Sequence, residues 1–448
     1  MLAGRATGVL SRLSGRGGGT TFPGDVARFI DPGVLRKLTS DLRGGAVLIT
    51  GTNGKTTTAR LVAALLEGLP ARVVANRSGA NLIWGLTTAA LQETGLNGRL
   101  QADWAVFEVD EATLPRAVEE VQPRAVLVMN LFRDQLDRYG ELELMAQTIR
   151  RALDRLPPGA RAVLNADDPR VGEIGLGLAT KPLWFGFNDP AAGSTILPHA
   201  ADATTCPRCG ASLVFTTVYV GHDGDYACPN GDFARPAPEI EGSAIRLRGL
   251  ESMELTASGT ELQASMGGLY NAYNLLAAFA IGRELGLKPG YMAARLRSVG
   301  AAFGRQERFR ARGRSFTILL AKNPTGFNEV LKESMTLAGG SHFLIGLNDG
   351  LADGEDVSWI WDVDFERLRE GALAVQPAGV RAADLAVRLK YAGVAAAAPV
   401  TDLGSALDAL IERVPEGGEA HILCTYTAML DLRATLVRRG WLKAYWAT

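Results

Sequence analysis

Apolar and polar positions along the chain fall into short, nearly continuous apolar runs separated by stretches with helical spacing. Gly44 and Gly45 read as a turn, and residues 46–50 after them as a short, fully buried strand. Residues 55–69 carry apolar side chains at helical intervals and are closed by Pro70. Strand-like runs recur at 104–109, 125–131 and 162–165, with helical stretches between them. Strand alternating with helix predicts a parallel sheet wrapped by helices.

The rhythm breaks near residue 190. Residues 191–238 are rich in Gly, Pro, Cys and small polar side chains and hold one alternating run, 213–220, which predicts a small β-rich insertion. Alternation resumes at 244–250 and 260–266, and 271–285 reads as a helix that Gly286 ends. A loop over 301–308 is expected to close this part. A strand at 316–320 then opens a second α/β segment, with further strands at 342–347 and 421–424 and helices at 326–337 and 382–391. The division this implies is an N-terminal segment (1–40), a central nucleotide-binding unit (41–312) with a ribbon insertion (200–238), and a C-terminal Rossmann-like α/β unit (313–448).

Composition changes the picture little. The 448 residues are 47% hydrophobic and 21% charged, with a net charge of −1, as in a globular enzyme. That balance gives no basic field for nucleic acid. Four cysteines are too few for a disulfide framework, so a reducing cytoplasm is the simpler reading. The first 24 residues bear arginines but no acid, and their apolar runs are too short for a signal peptide. They read as a short amphipathic helix ended by Gly17–Gly19, with a weak lipid-surface contact as the alternative. No run is long enough for a transmembrane segment.

Chemistry enters at Gly51-Thr52-Asn53-Gly54-Lys55-Thr56-Thr57, where a strand runs through a glycine-bearing loop into a helix. Backbone N–H groups and the helix N-terminus suit phosphate oxygens, Lys55 suits their charge, and Thr56 suits Mg²⁺. The strict P-loop pattern fails by one residue, because Ile49 stands at its first glycine. In the insertion, Cys206-Pro207-Arg208-Cys209 and Cys228-Pro229-Asn230-Gly231 form a zinc-ribbon pattern lacking one thiolate. His222 and Asp232 are the candidates to complete it. The alternative is a degenerate, metal-free ribbon.

The phosphate loop resembles that of the Mur ligases and folylpolyglutamate synthases, and further segments fit in the same order. Phe107-Glu108-Val109-Asp110-Glu111 resembles the family's Mg²⁺ site, with Glu108 at the matching position. Asn130 opens a segment in which the family's two histidines are replaced by Gln135 and Tyr139. Asn165 lies in a nucleotide-side Asn-Ala-Asp-Asp turn, Asn271 and Asn274 match asparagines that face adenine, and Arg305 matches a phosphate-binding arginine. No lysine lies between Lys55 and Lys181, so a carbamylated lysine from that stretch is not available.

Four C-terminal strings narrow the resemblance: 320–329 with Ala321-Lys322-Asn323-Pro324, 347–362 ending Ser358-Trp359-Ile360-Trp361-Asp362, 388–393 opening Arg388-Leu389-Lys390-Tyr391, and 425–430 opening Thr425-Tyr426. With the cysteine insertion they resemble the MurT family, ligase subunits of lipid II isoglutaminyl synthases. That resemblance implies ATP and Mg²⁺ as cofactors, a glutaminase subunit (GatD-like) as partner in a heterodimer, and lipid II at the cytoplasmic membrane face as substrate. It also implies amidation of the stem-peptide D-glutamate, and an aspartate that completes the partner's Cys–His pair. Asp356 is the assignment by motif position, with Asp349 and Asp353 as rivals. Trp359 and Trp361 read as core packing or a partner interface. His421 and Cys424, three residues apart on one strand, should face opposite sides and form no nucleophilic pair. Two other functions stay open: a ligase that adds an amino acid, and a silent nucleotide-binding scaffold.

Overall fold

The computed structural model describes residues 21–443 apart from 77–78, 96, 134–140, 200, 300–304, 336–339 and 351. The N-terminal segment before residue 21 therefore lies outside the described residues.

Six strands run parallel in the first sheet: β1 (Gly45–Thr50), β2 (Val73–Ala75), β3 (Trp104–Glu108), β4 (Ala125–Val128), β5 (Arg161–Asn165) and β6 (Leu183–Phe187). A separate hairpin, β7 (Val214–Val220) and β8 (Asp223–Ala227), follows. Then β9 (Ile240–Arg248) joins β6 in parallel, and β10 (Ser252–Ala257) and β11 (Thr260–Ala264) add as an antiparallel meander. The resulting order is β11-β10-β9-β6-β5-β4-β1-β3-β2. β1 and β4 are central and buried on both faces, which explains why they read as unbroken apolar runs. One face packs on the Lys55–Glu67 and Leu269–Glu284 helices, the other on Ile83–Gln92 and Leu114–Val121.

The second sheet is β12 (Arg305–Ala311), β13 (Arg314–Leu320), β14 (Ser341–Gly346), β15 (Ala372–Ala378) and β16 (Glu419–Cys424), in the order β12-β13-β16-β14-β15. Here the structure departs from the expected loop over 301–308. β12 pairs antiparallel with β13 from Arg305 onward, so the C-terminal sheet reaches back before residue 313. Only Phe309 and Ala311 of β12 are buried among charged neighbours, and an edge strand of that kind carries a weak alternation signal.

Candidate active site

The Lys55–Glu67 helix starts just past the C-terminal end of β1, and Gly51 to Gly54 connect them. Gly51 and Gly54 have φ of +129° and +88°, a region that favours glycine. A Cβ on Gly54 would collide with Asn274 Oδ1, so glycine lets the loop lie flat on the Leu269–Glu284 helix. Ile49 sits inside β1, paired with Glu108 of β3, with its side chain fully buried.

The end of β4 holds the loop in place. Thr52 N donates to Asn130 O at 3.0 Å, and Asn53 N to Asn130 Oδ1 at 2.8 Å. Thr52 Oγ1 donates to Phe132 O and accepts from Phe132 N, both at 3.0 Å.

Lys55 folds over this loop. Its Nζ donates to Gly51 O at 2.6 Å and to Glu111 Oε1 at 2.9 Å, and both side chains of the ion pair are buried. Burial works to raise the Glu111 carboxyl, but the Lys55 ammonium outweighs it and holds the group below its usual range. Asp110 is pushed up by burial and by the charge of Glu111. Glu108 is buried at the end of β3, its backbone clamped by Asn76, which accepts from Glu108 N at 2.9 Å and donates to Glu108 O at 2.8 Å. Thr56 is half-exposed in the first helical turn, whereas Thr57 points into the core.

The C-terminal sheet supplies the opposite wall. Asn323 Oδ1 caps the Pro324–Ser334 helix through Gly326 N at 2.8 Å, while its Nδ2 donates to Asn53 Oδ1 at 3.1 Å. The cleft between the sheets is lined by Asn53, Gly54, Asn130, Tyr270, Asn274, Lys322, Asp223 and Glu329. Burial pushes the Glu329 carboxyl up to about 7, and Gly221 N donates to it. Burial and the nearby Asp168 and Asp167 push Asp223 well up too.

The other expected residues fall at different depths. Asn274 reaches the cleft and accepts from Thr58 Oγ1 at 3.2 Å; Asn271 lies a turn behind, its Oδ1 accepting from Asn274 Nδ2 at 3.0 Å. Asn165 is not at the cleft surface. Its Oδ1 accepts from Asp167 N at 3.1 Å and its Nδ2 donates to Asp223 Oδ2 at 3.2 Å, so it supports a lining residue. Arg305 opens β12 opposite Leu319, but its side chain, Gly304, Gln135 and Tyr139 lie outside the described residues.

In the insertion the two knuckles are closed over the same span, although their inner turns differ: Cys206 O accepts from Gly210 N and Cys228 O from Gly231 N. Cys206 N donates to Ala211 O, and Cys228 N to Phe233 O, each at 2.7 Å. Position 231 is therefore the counterpart of Cys209. The sulfurs of Cys206, Cys209 and Cys228 lie within 4.8 Å of one another, those of Cys209 and Cys228 being 3.4 Å apart. Asp232 bonds the Cys209 thiol. His222 does not join them, which corrects the expectation that it might complete the site. It is fully buried in the β7–β8 turn, where Nδ1 accepts from Asp202 N and Ala203 N at 3.2 and 3.3 Å and Nε2 faces Asp168 Oδ2 at 3.4 Å. With Asp168 and Asp223 it forms a second cluster of metal-ligand type. Nδ1, however, faces two N–H donors, so the ring proton must sit on Nε2, the only nitrogen left to bind a metal.

The three aspartates behave differently. Asp353 is buried and caps the Tyr426–Arg438 helix by accepting from Thr427 N at 3.0 Å and from its hydroxyl. Asp349 pairs with Arg381 at 3.0 Å. Asp356 is exposed, one oxygen accepting from Ser358 N at 2.8 Å. Trp359 packs on Phe327 in the core, whereas Trp361 is exposed against Tyr391. Burial drives the Cys424 thiol up to about 12, and burial with the Arg308 charge drives His421 down to about 4. The two belong to opposite faces of β16 and make no nucleophile–base pair.

Glu111, Asn130, Asn323 and Glu329 all lie in the strings that carry the family resemblance, but nothing in their spacing shows that they gather around the phosphate loop and the cleft. Asp223 carries no signal in the sequence.

Known proteins are similar in sequence and in fold. Residues 49–207 match the Mur ligase middle domain, and 320–429 match the MurT ligase C-terminal domain. The chain is 34% identical to the lipid II isoglutaminyl synthase (glutamine-hydrolyzing) subunit MurT of Staphylococcus aureus, over 84% of each chain. It is also 34% identical to that of Streptococcus pneumoniae, over 98% of this chain and 96% of the other. Among solved structures, a pseudomurein peptide ligase type C from Methanothermus fervidus superposes with a TM-score of 0.66 at 19% identity, covering 90% of this chain and 80% of that one. The MurF ligase from Thermotoga maritima in complex with ADP gives 0.60 at 16%, covering 92% and 84%. These last two share the fold, a Mur-ligase core with a C-terminal α/β domain. The chain belongs to the MurT family, within the ATP-dependent Mur-type ligases.

Proposed function

We propose that this chain is the ligase subunit of a lipid II isoglutaminyl synthase, with a central ATP-binding unit from residue 41 to the start of β12 and a C-terminal unit from Arg305 onward. The observation that carries the reading is the buried Lys55–Glu111 pair at a phosphate loop whose Asn53 and Gly54 line the cleft between two sheets. In this reading the loop from Gly51 to Gly54 and the amides of Lys55, Thr56 and Thr57 receive the ATP phosphates. Lys55 exchanges Gly51 O for phosphate oxygens while Glu111 keeps it charged and aimed. Asn274, backed by Asn271, faces the base, with Asn165 as support, and Arg305 meets phosphate.

Thr56 and Glu108 are the oxygen donors beside the loop and fit Mg²⁺, which would supply charge neutralisation for the transferred phosphoryl group. An oxygen of the D-glutamate α-carboxylate attacks the γ-phosphorus and ADP leaves, giving an acyl phosphate. Ammonia then attacks the acyl carbon, the C–O bond to phosphate breaks, and the nitrogen gives up its proton to yield the amide. The ammonia comes from a glutaminase partner of GatD type, whose Cys–His pair Asp356 would complete by orienting the imidazole. Asp356 is favoured by motif position and because it is exposed, whereas Asp353 is buried. In the ribbon, the thiolates of Cys206, Cys209 and Cys228 fit Zn²⁺, with Asp232 nearest to the fourth position; the ion would brace the insertion. The chain would act in the cytoplasm, at the inner membrane face.

The test combines purified chain, ATP, lipid II and ammonium, with mass spectrometry for replacement of OH by NH₂. Product is expected, and Lys55→Ala should cut the rate by about 100-fold or more. No product with ammonium, or with glutamine and the partner, sinks the reading. Turnover that needs an amino acid and ignores ammonium would favour amino-acid addition instead.

A further inference from the structure

The helix Phe22–Ile30 has one face that none of the described residues covers. Its exposed positions are 22, 25, 29 and 30, with Val26 half-buried between them, a single helical stripe carrying Phe22, Phe29 and Ile30 and Asp25 as its one acid. Phe22 is 54% exposed, Phe29 90% and Ile30 61%. Isolated exposed apolar side chains are ordinary, but a contiguous stripe is not.

The stripe cannot roll inward, because the opposite face is locked. Gly24 N donates to Thr88 Oγ1 at 2.9 Å, and a Cβ on Gly24 would run into the Trp84 carbonyl, so the helix sits as close to Ile83–Gln92 as two backbones allow. Arg28, buried on the same inner face, forks Glu120 with bonds of 2.6 and 2.7 Å.

The helix it rests on extends the apolar area. Leu82 and Trp84 are 40% and 38% exposed. Next to Leu82, Asn81 O accepts from Asp110 N at 3.0 Å, and Asp110 adjoins Glu111. The apolar surface therefore ends where the carboxylate-bearing edge of the site begins.

Charge says what such a surface faces. Residues 1–20 contain Arg5, Arg12 and Arg16 and no Asp or Glu. Arg36 and Lys37, on the helix that follows, are exposed, Arg36 donating to Glu119 O at 2.8 Å and Lys37 pairing with Asp31 at 2.7 Å. Aromatic and aliphatic side chains flanked by cations suit an anionic lipid leaflet, where the apolar groups enter the headgroup boundary and the cations meet phosphates. None of the described helices is long and apolar enough to cross a membrane, so contact would be interfacial.

We infer that the Phe22–Ile30 stripe, continued by Leu82 and Trp84, is a docking surface for an anionic lipid membrane, placing the Glu108–Glu111 edge of the site at the lipid boundary. The inference rests on the reading above, in which the substrate is lipid-carried; it adds the surface by which a soluble fold meets that substrate.

The full chain is mixed with phosphatidylglycerol-containing vesicles or with pure phosphatidylcholine vesicles and sedimented. It should sediment with the anionic vesicles, less so at high salt, and Phe29→Asp/Ile30→Asp should weaken binding by at least about 10-fold. With ammonium, the double variant should lose amidation of lipid II in vesicles by a comparable factor, yet amidate the same stem peptide on a water-soluble muramyl head group at the wild-type rate. Wild-type chain that ignores anionic vesicles, or a double variant that binds them equally, overturns the inference whatever the soluble assay gives. So does a Phe29-dependent dimer without lipid, which would assign the stripe to a second copy. Failure of wild type on the soluble substrate counts against the ligase reading alone. Should the double variant misfold, Phe29→Trp decides. Its emission should shift to the blue and be quenched by brominated lipid, and unchanged emission overturns the docking surface.

Discussion

The phosphate loop and the cysteine ribbon each miss their sequence pattern by one residue, and the two misses have opposite physical weight. At the loop, the absent glycine is Ile49, a residue inside β1 whose backbone is paired to β3 and β4 and whose side chain fills the core. The glycines that matter, Gly51 and Gly54, are present where φ turns positive. At the ribbon, the absent residue is a ligand. The knuckle backbone around Gly231 is intact, but no side chain stands where the fourth sulfur would be, and a Cβ there would meet nothing within 4 Å. A departure at a position that supplies only backbone shape is harmless if the shape survives; at a position that supplies a donor atom it changes the chemistry.

That contrast is broken most sharply by restoring the glycine. Ile49→Gly removes a fully buried side chain from the central strand and adds backbone freedom, so a loss of about 4 kcal/mol is expected by urea denaturation. A neutral result would mean the loop, not the strand, sets the requirement at position 49. Next in size is Glu111→Gln, which leaves the Lys55 ammonium buried without its counter-charge and should cost about 3 kcal/mol. ATP phosphates can replace that partner, so saturating nucleotide should recover part of the loss. The pair also has a pH signature. The Glu111 carboxyl is held below its usual range in the fold, so its contribution is present above the ordinary carboxylate pKa of about 4.3 and is lost as pH falls through the lowered folded value. The variant should lack that acid limb in a stability–pH curve.

How much of this was legible in the sequence follows the same division. The phosphate loop, its flanking strand and helix, and the Leu269–Glu284 helix could be read because their signals are local: an apolar run, paired glycines, helical spacing. The Lys55–Glu111 pair could not, since 56 residues separate partners that only the β1–β3 pairing brings together. His222 was drawn toward the cysteines by sequence proximity, whereas the β7–β8 turn carries it to Asp168. β12 escaped notice because Arg305, Glu307, Arg308 and Arg310 leave only two apolar positions in an edge strand. The burial of Asp223 and Glu329 was invisible for a different reason: it comes from two separate chain segments closing on one cleft.

Glu329 links the two regions, since Gly221 of the insertion donates to it inside the cleft. Its carboxyl is raised to about 7, so the folded state holds a proton that the unfolded chain releases near its ordinary value. Stability should therefore decline as pH rises from about 4.5 toward 7 and level off above that. Glu329→Gln cannot ionise and should remove the decline, leaving the variant up to about 3 kcal/mol more stable than wild type at pH 8 and equal at pH 4.5. Parallel curves for the two proteins would show that the cleft does not bury this group in solution, and that the insertion contributes no seal to it.

The smallest effect tests the ribbon side directly. Gly231→Cys places a thiol at the sequence position equivalent to Cys209, in a knuckle closed over the same span by one backbone bond. The φ of +79° makes any side chain there cost about 1 kcal/mol, so the metal-free variant should be slightly less stable than wild type. With zinc the sign should reverse. Four thiolates in tetrahedral reach bind the ion more tightly than three and a neighbouring carboxylate, and binding to the folded state alone stabilises it. Zinc retained per chain after dialysis against a chelator, together with the melting temperature with and without the metal, measures both halves. Retention that rises while stability without metal falls would establish that only the donor at position 231 separates this ribbon from a complete one. If retention is unchanged, the three cysteines do not form a zinc site at all, and the knuckles hold the insertion through their backbone bonds and the Tyr226–Phe233 stack.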